Sequence, residues 1–265
     1  MNAVLDRYEK FLQVHLEGIS SSNLGEFASI LWDRLAEKVE DPERLVAIAG
    51  RIASDPLLPD QEVVGFFEEI YGVTDAWGWA ISISEKKEAL AVLLPYLANV
   101  HSSLDIGCGP AALDIFLAVE EIHKGKFVLI DPSRGMIDHG TRLAAKFGVN
   151  FQFDLGYGQE LPYNDRSFDL ILLMDTIHWS IEWQRILSEA ERVMNEGAVI
   201  FVNYSNGAGR FSLDPMVVCR SMIQRGIDVI NVTNGTTDPN RAFILGRKSK
   251  PSGLITLAGI SSYKE

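Results

Sequence analysis

The sequence predicts an α/β protein: a mostly parallel sheet of seven strands, doubly wound by helices on both faces and preceded by a helical segment. From residue 102 onward, short β-branched and aliphatic runs alternate with longer amphipathic stretches, as in parallel strands joined by helices. Before residue 96, apolar residues recur only at helical spacing. We therefore expect a helical region over residues 1–95 and a sheet domain over residues 96–265.

The helical region carries start signals at recognisable positions. Asp41 followed by Pro42 predicts a helix start, since aspartate caps a helix and proline suits its first position. Further helices are expected from Asp60 to about Gly72 and over residues 85–97. Two helical faces can be read from the apolar spacing. They are formed by Tyr8, Phe11, Leu12, His15 and Leu16, and by Phe27, Ile30, Leu31 and Leu35.

The sheet domain is predicted element by element from the same alternation. Strands are expected at 102–106, 126–131, 149–153, 168–174, 198–204, 228–233 and 241–247. Helices are expected at 110–123, 134–147, 181–195 and 214–226. Residues 234–240 are rich in Asn, Gly, Thr and Pro, which indicates a hairpin turn between the last two strands.

The most informative segment is the sharp turn from the first strand into the first helix of the sheet domain. Residues 104–110 read Leu-Asp-Ile-Gly-Cys-Gly-Pro, and Gly107 and Gly109 permit positive φ and close backbone approach. Asp131 ends the next strand, where a carboxylate can bind ribose hydroxyls. This pattern predicts an adenosine-containing cofactor. Glycine spacing alone also fits the nicotinamide fingerprint, so two cofactor classes remain open.

Four sequence blocks in order resemble the class I S-adenosylmethionine-dependent methyltransferases that act on small molecules. They are residues 104–110, Asp131-Pro-Ser-Arg-Gly-Met136, Leu161-Pro-Tyr-Asn-Asp-Arg-Ser-Phe-Asp169 and Arg192-Val-Met-Asn-Glu-Gly-Ala198. The resemblance covers about residues 100–204. It implies a Rossmann-like fold with S-adenosylmethionine as the cofactor. The N-terminal helices are expected to serve as a lid over the acceptor pocket, with a dimer interface as the alternative.

The resemblance also implies roles for individual residues. Asp105 would lie near the amino-acid end of the cofactor, and the backbone at Gly107 and Gly109 would pass beneath it. Asp131 would accept hydrogen bonds from the ribose, where it would otherwise lack a partner as a carboxylate ending a buried strand. Met136 would pack on the adenine face, or simply in the core.

The chain departs from the family pattern in three places, one of which, residues 195–198 before the fifth strand, affects only a turn. Tyr157 occupies the slot where the family often has an acidic residue for the adenine amino group, so Tyr157 is expected to stack or donate instead. Gly158, by its backbone, and Gln159 are further candidates for adenine contacts. The third glycine of the first motif is Ala111, which the sequence suggests is a small change.

Catalysis is expected just past the fourth strand. His178 is the candidate base, since its ordinary pKa allows it to accept a proton near neutral pH, or it only shapes the pocket. Asp175 is expected to bind the cofactor's amino group or to position the acceptor, with helix capping as the alternative. Four aromatic residues are candidate walls of the acceptor pocket. They are Trp77, Trp79, Trp179 and Tyr204.

Composition narrows the class of partners. The net charge of −12 argues against nucleic acid, and residues 1–95 hold 8 basic and 17 acidic side chains. No apolar run is long enough to span a membrane, and Cys108 and Cys219 suit a reducing cytoplasm. No histidine spacing suggests a metal site. We expect a cytoplasmic enzyme, monomeric or homodimeric, that methylates an oxygen or nitrogen of a small metabolite or natural product.

Three alternatives remain at this point. Methylation of a peptide or peptide carboxylate would favour an open cleft over a closed pocket. A nicotinamide-dependent oxidoreductase would need a Tyr-x-x-x-Lys pair, which does not follow the fourth or fifth strand. A non-catalytic, cofactor-binding scaffold would bind S-adenosylmethionine without turnover.

Overall fold

The computed structural model describes residues 1–38, 41–74, 82–206, 210 and 212–249. In chain order the helices are α1 (Asn2–Leu16), α2 (Leu24–Lys38), α3 (Pro42–Ser54), α4 (Asp60–Thr74), α5 (Ile83–Leu93), α6 (Ala112–Val119), α7 (Arg134–Lys146), α8 (Trp183–Val193) and α9 (Pro215–Gln224). The strands are β1 (Ser102–Ile106), β2 (Lys126–Asp131), β3 (Gln152–Leu155), β4 (Phe168–Met174), β5 (Met194–Ser205), β6 (Ile227–Asn234) and β7 (Arg241–Lys248). Short 3₁₀ turns follow α5 and β4.

The seven strands form one sheet in the order β3-β2-β1-β4-β5-β7-β6. Strands β1 to β5 pair in parallel, and β7 runs antiparallel to both β5 and β6. The predicted mostly parallel sheet with flanking helices is confirmed. The strand order changes direction between the neighbouring strands β1 and β4, and ligands bind at such a switch point in open α/β sheets.

Helix α1 belongs to the packing of the sheet domain. Its Tyr8 side chain is buried, and the ring lies 4.5 Å from the ring of Phe116 on α6. Helix α5 packs beside α1 and contributes Leu90 and Leu93 to the same core. The N-terminal helices α1 and α5 therefore extend one helical layer of the sheet. A division of the chain at residue 95 remains a prediction.

Local hydrogen bonds explain where the structure departs from the predicted boundaries. Strand β3 begins at Gln152, because Val149 N–H still closes the end of α7 on the Ala144 carbonyl. Helix α6 ends at Val119, because Glu121 takes a left-handed φ of 53° and Ile122 N–H turns back to Leu117. Both predicted elements exist, with shifted ends.

Boundaries in the N-terminal region follow the same pattern. The Asp41 side chain caps α3 by accepting from Arg44 N–H at 2.9 Å, as predicted. Helix α4 continues to Thr74, two residues past the predicted end. Trp77 and Trp79 lie outside the described residues. In the part of the chain that the structure describes, no helix has the length and apolar character needed to cross a membrane.

Candidate active site

The loop between β1 and α6 is held against β2 and opens on one side to a cavity. Gly107 N–H and Cys108 N–H both donate to the Ile130 carbonyl, at 2.8 and 3.2 Å. Gly107 has φ +73°, and a Cβ there would lie 2.6 Å from the side chain of Thr176. Gly109 has φ +52°, but a Cβ there would meet no atom within 4 Å. The two glycines thus serve different purposes: close packing at Gly107 and an open approach at Gly109.

Ala111, the residue at the third glycine position of the motif, lies in a strained part of the loop. It adopts φ +58°, a left-handed conformation that costs an L-residue about 1–2 kcal/mol. Its methyl group is buried beside Leu129 and Ile137, which returns about 0.8 kcal/mol. Alanine also loses about 0.5–1 kcal/mol less backbone entropy than glycine on folding. These contributions nearly cancel, which explains how alanine is accommodated at a strained position.

Asp131 lies at the end of β2 with its carboxylate at the cavity. Its Oδ1 accepts from Ser133 N–H at 2.8 Å, and its Oδ2 accepts from Gly109 N–H at 2.9 Å. The argument that this carboxylate would otherwise lack a partner is therefore wrong. Burial raises the pKa of Asp131 to about 6, although both amide hydrogen bonds oppose the increase. Each oxygen keeps a lone pair for a further donor.

Asp105 and Asp114 form a buried pair of carboxyl groups behind the glycine loop. Both are 1% exposed, and the two carboxyl groups hydrogen-bond each other, with no other donor to their oxygens among the described residues. Burial, followed by the adjacent Asp114 carboxyl group, raises the pKa of Asp105 well above its usual value. Burial also raises the pKa of Asp114 to about 6. Asp105 lines the cavity, and a cationic group bound there would favour its ionised form, which is the role that the resemblance implied.

The cavity has a volume of about 450 Å³ and lies along the carboxyl edge of the sheet. At one end it is lined by predicted residues Met136, Tyr157, Gly158 and Gln159. The backbone at Gly158 packs tightly, since a Cβ there would lie 2.7 Å from Ile106. The structure therefore brings the predicted cofactor residues to one cavity.

Asp60 joins the N-terminal helices to this edge, a role that the sequence did not predict. It begins α4, and its Oδ1 accepts from Arg210 Nη1 at 2.9 Å and from Ile181 N–H at 3.0 Å. Its Oδ2 accepts from the side chains of Gln159 and Ser180. The Arg210 side chain is fully buried, and it also donates to backbone carbonyls before α4. This Asp60 cluster fixes the start of α4 against three loops of the sheet domain.

His178 lines the cavity just past β4 and is 3% exposed. Burial lowers the pKa of His178 to about 4, as do Arg241 and Lys86, against the opposing effect of Asp175. Its Nδ1 has no hydrogen-bond partner among the described residues. The imidazole is therefore neutral near pH 7, in the correct state for a base but weakly basic.

The two remaining aromatic candidates lie in different places. Trp179 lines the cavity and packs edge-on against Phe67 of α4, with ring centroids 5.0 Å apart. Tyr204 is fully buried and stacks on His178 at 5.8 Å, but it does not line the cavity. The prediction that Tyr204 walls the acceptor pocket is wrong. As a residue of β5, Tyr204 supports the histidine from behind.

Asp175 lies in a cluster of four charged groups, three of which the sequence analysis missed. Its Oδ2 accepts from Lys86 Nζ at 3.0 Å, and its Oδ1 accepts from Arg241 Nη1 at 2.7 Å. Arg241 Nη2 donates to Glu85 at 2.7 Å. Burial alone would raise the pKa of Asp175, but Lys86 and Arg241 hold it well below its usual value. Asp175 has φ +55° and caps no helix, so the capping alternative is wrong.

The fold and the site together define a protein with a cofactor site at the carboxyl edge of a Rossmann-like sheet. A family model described as a methyltransferase domain matches residues 100–228. A demethylmenaquinone methyltransferase from Bacillus pumilus is 30% identical over 146 residues, which cover 53% of this chain and 62% of that relative. The chain spans less than two thirds of the length of the curated relatives it matches.

Two solved structures share the fold. The [4+2]-cyclase SpnF superposes with a TM-score of 0.55 and 17% identity, covering 64% of this chain and 82% of its own. The geranyl diphosphate C-methyltransferase of Streptomyces coelicolor, solved with S-adenosyl-L-homocysteine, superposes with a TM-score of 0.54 and 11% identity. The match covers 62% of this chain and 77% of that enzyme. The methyltransferase domain matched over residues 100–228, the curated relative and the shared fold together indicate a class I S-adenosylmethionine-dependent methyltransferase, with S-adenosylmethionine as the cofactor. The glycine spacing alone left a nicotinamide cofactor open, and the methyltransferase match favours S-adenosylmethionine instead.

Proposed function

We propose that this protein transfers a methyl group from S-adenosylmethionine to an oxygen or nitrogen atom of a small metabolite or natural product. The observation that carries the proposal is one cavity, about 450 Å³ in volume, that joins the cofactor residues to His178. Its walls combine the carboxyl edge of the sheet with side chains from the N-terminal helices. Such a cavity suits a cofactor and a small acceptor held side by side.

The residues that would hold the cofactor fit its chemical groups. Asp105 lines the cavity, and the ammonium group would stabilise its carboxylate, which burial and Asp114 disfavour in the free protein. Asp131 presents a carboxylate for the ribose hydroxyls, and the open space at Gly109 admits the cofactor close to the backbone. When bound, S-adenosylmethionine supplies a methyl group on a sulfonium whose carbon–sulfur electron pair stays on sulfur after transfer.

The acceptor pocket is formed largely by the N-terminal helices, which we propose act as the lid. Phe27 of α2 and Val63, Val64 and Phe67 of α4 line the cavity. Glu68 of the same helix accepts from Gly135 N–H at the start of α7, at 3.2 Å, so α4 lies across the cavity. Apolar walls of this kind exclude water and align the acceptor, which is the main requirement for transfer from an activated methyl donor.

His178 is better suited to shaping the pocket than to strong base catalysis in the free protein. Its pKa of about 4 leaves it neutral, but it provides little driving force for taking a proton from a hydroxyl. Asp175 is better suited to the acceptor end than to the cofactor's ammonium group, because both of its oxygens already form ion pairs. The peptide alternative is less favoured, since the cavity is walled by α2 and α4.

Calorimetric titration tests the proposal directly. Wild-type protein and Asp131→Ala are titrated with S-adenosylmethionine, S-adenosylhomocysteine and NADH. Binding of both sulfur compounds, absent for NADH and weakened in the variant, is the expected result, and an acceptor screen by mass spectrometry then follows. Folded protein that binds neither sulfur compound contradicts the proposal. Binding without turnover on any acceptor supports the scaffold alternative.

A further inference from the structure

The ion-paired cluster of Glu85, Lys86, Asp175 and Arg241 borders the cavity beside His178. It joins three elements that are distant in sequence: α5, the turn after β4, and the first residue of β7. Arg241 and Glu85 are 8% and 11% exposed in their side chains, whereas Lys86 and Asp175 are 25% and 30% exposed. The outer pair of the cluster is therefore the part that a bound molecule can reach.

Lys86 and Arg241 differ in the donors that they leave for a ligand. Both Nη atoms of Arg241 are engaged by carboxylates, and its Nε is buried. Lys86 Nζ carries three N–H donors, and Asp175 takes one of them among the described residues. Lys86 thus presents donors to the cavity on an ammonium group whose position Asp175 fixes.

The charge around Lys86 favours a negative ligand over a positive one. Asp175 is shared between two cations, and Glu85, whose pKa is raised by burial, already pairs with Arg241. His178 adds no charge near neutral pH, and its own pKa is lowered partly by Arg241 and Lys86. A positively charged amine would enter next to two cations whose anionic partners are already occupied.

We propose that Lys86 Nζ binds an ionised oxygen of the methyl acceptor, so that the acceptor is a phenol, an enol or a carboxylic acid. The inference rests on the proposed function and narrows its substrate class. The acceptor's proton passes to bulk water as the oxygen binds the ammonium group. This arrangement needs no strong base, which agrees with the weakly basic His178.

Three aromatic probes of similar size distinguish the possible acceptors on protein saturated with S-adenosylhomocysteine. 4-Nitrophenol tests a phenolate, benzoate tests a carboxylate and benzylamine tests an ammonium group. The ionised form of 4-nitrophenol is yellow, so its absorbance reports the protonation state of the bound probe. We expect the phenolate or the carboxylate to bind more tightly than the amine, with the apparent pKa of bound 4-nitrophenol below that of the free phenol.

The Lys86→Met variant should weaken binding of the anionic probe by about tenfold or more, the usual effect of losing a hydrogen bond to a charged group. It should also abolish the decrease in the pKa of bound 4-nitrophenol, whereas Lys86→Arg should retain part of it. Lys87→Met is the matched control, because Lys87 is the next residue of α5 but pairs with Glu9 and does not line the cavity.

Several results overturn the inference. They are unchanged anion binding in Lys86→Met, equal losses in Lys86→Met and Lys87→Met, tightest binding of benzylamine, or binding of none of the three probes. Binding of S-adenosylhomocysteine is measured first in each variant. If wild-type protein does not bind it, the proposed function fails; if it binds but the probes show no dependence on Lys86, only the substrate class fails.

Discussion

Replacing Gly109 by alanine should reduce cofactor affinity more than it reduces stability. The added methyl group meets no protein atom within 4 Å, so the folded protein loses only the cost of a left-handed alanine, about 1–2 kcal/mol. The same methyl group projects beside the cavity, where the cofactor backbone is proposed to pass. We expect S-adenosylhomocysteine binding to weaken by at least about 2 kcal/mol, or roughly thirtyfold.

Gly107→Ala is the matched comparison, since it changes the same loop by the same atom. Here the left-handed strain is joined by a 2.6 Å clash with Thr176, and such overpacking typically costs a further 1–3 kcal/mol or so. The expected total loss of stability is about 2–5 kcal/mol. Gly107→Ala should therefore lose more stability in urea unfolding, whereas Gly109→Ala should be the better folded variant and should still bind the cofactor weakly.

Calorimetry with S-adenosylhomocysteine and urea unfolding of the free protein measure the two quantities separately. Wild-type affinity in a folded Gly109→Ala variant would refute the reasoning, because the cofactor could not then pass close to this backbone. A loss of stability in Gly109→Ala as large as that in Gly107→Ala would also refute it, since the space at Gly109 would not be open.

Three further predictions concern buried charged groups. Asp131→Asn should bind S-adenosylhomocysteine weakly at all pH values, whereas the wild-type affinity should fall as the pH drops below about 6, measured by calorimetry. Asp60→Leu should lower the free energy of unfolding by about 3–5 kcal/mol, because it leaves a fully buried guanidinium without its carboxylate. The double variant Asp60→Leu/Arg210→Met should recover most of that loss in urea unfolding. As the pH falls from 6.5 towards 4, the free energy of unfolding should decrease by about 3 kcal/mol because of His178, since this histidine is protonated in the unfolded chain before it is protonated in the folded protein. His178→Phe should remove this dependence.

Each of these predictions has a result that counts against it. A pH-independent wild-type affinity would contradict the role of Asp131. If Asp60→Leu/Arg210→Met is as unstable as Asp60→Leu alone, the Asp60 cluster stabilises the fold by more than neutralising the charge of Arg210. Equal slopes of stability against pH in wild type and His178→Phe would show that the histidine is not the group that resists protonation.

The strands and the glycine loop were predictable because their signals are local. Strand β2 and strand β4 are apolar runs bounded by polar residues, and the structure gives both the predicted limits. The turn at Gly107 and Gly109 could be predicted without knowledge of tertiary contacts, since positive φ is a property of the turn itself. The end of α6 was missed because a left-handed glutamate, Glu121, closes it where glycine would be expected.

The charged cluster was not predictable, because its members meet only through tertiary packing. Lys86 and Asp175 are 89 positions apart, and Arg241 lies another 66 positions beyond Asp175. Nothing in the local sequence of α5 marks Lys86 above its neighbour Lys87. The prediction for Tyr204 was wrong for a related reason. In a strand that is buried on both faces, the alternation of side chains does not show which face lies against the cavity.

The antiparallel placement of β7 between β5 and β6 has a consequence for how acceptor choice can change. It brings Arg241, from the last strand of the chain, to Asp175 and to the Glu85 carboxylate of α5. The proposed acceptor end therefore draws residues from both sides of residues 100–228, whereas the proposed cofactor residues lie within that range. A chimaera that keeps this central portion and exchanges both flanking segments together should change its acceptor specificity and still bind S-adenosylmethionine. Exchanging one flank alone would leave a charge of the cluster without its counterpart.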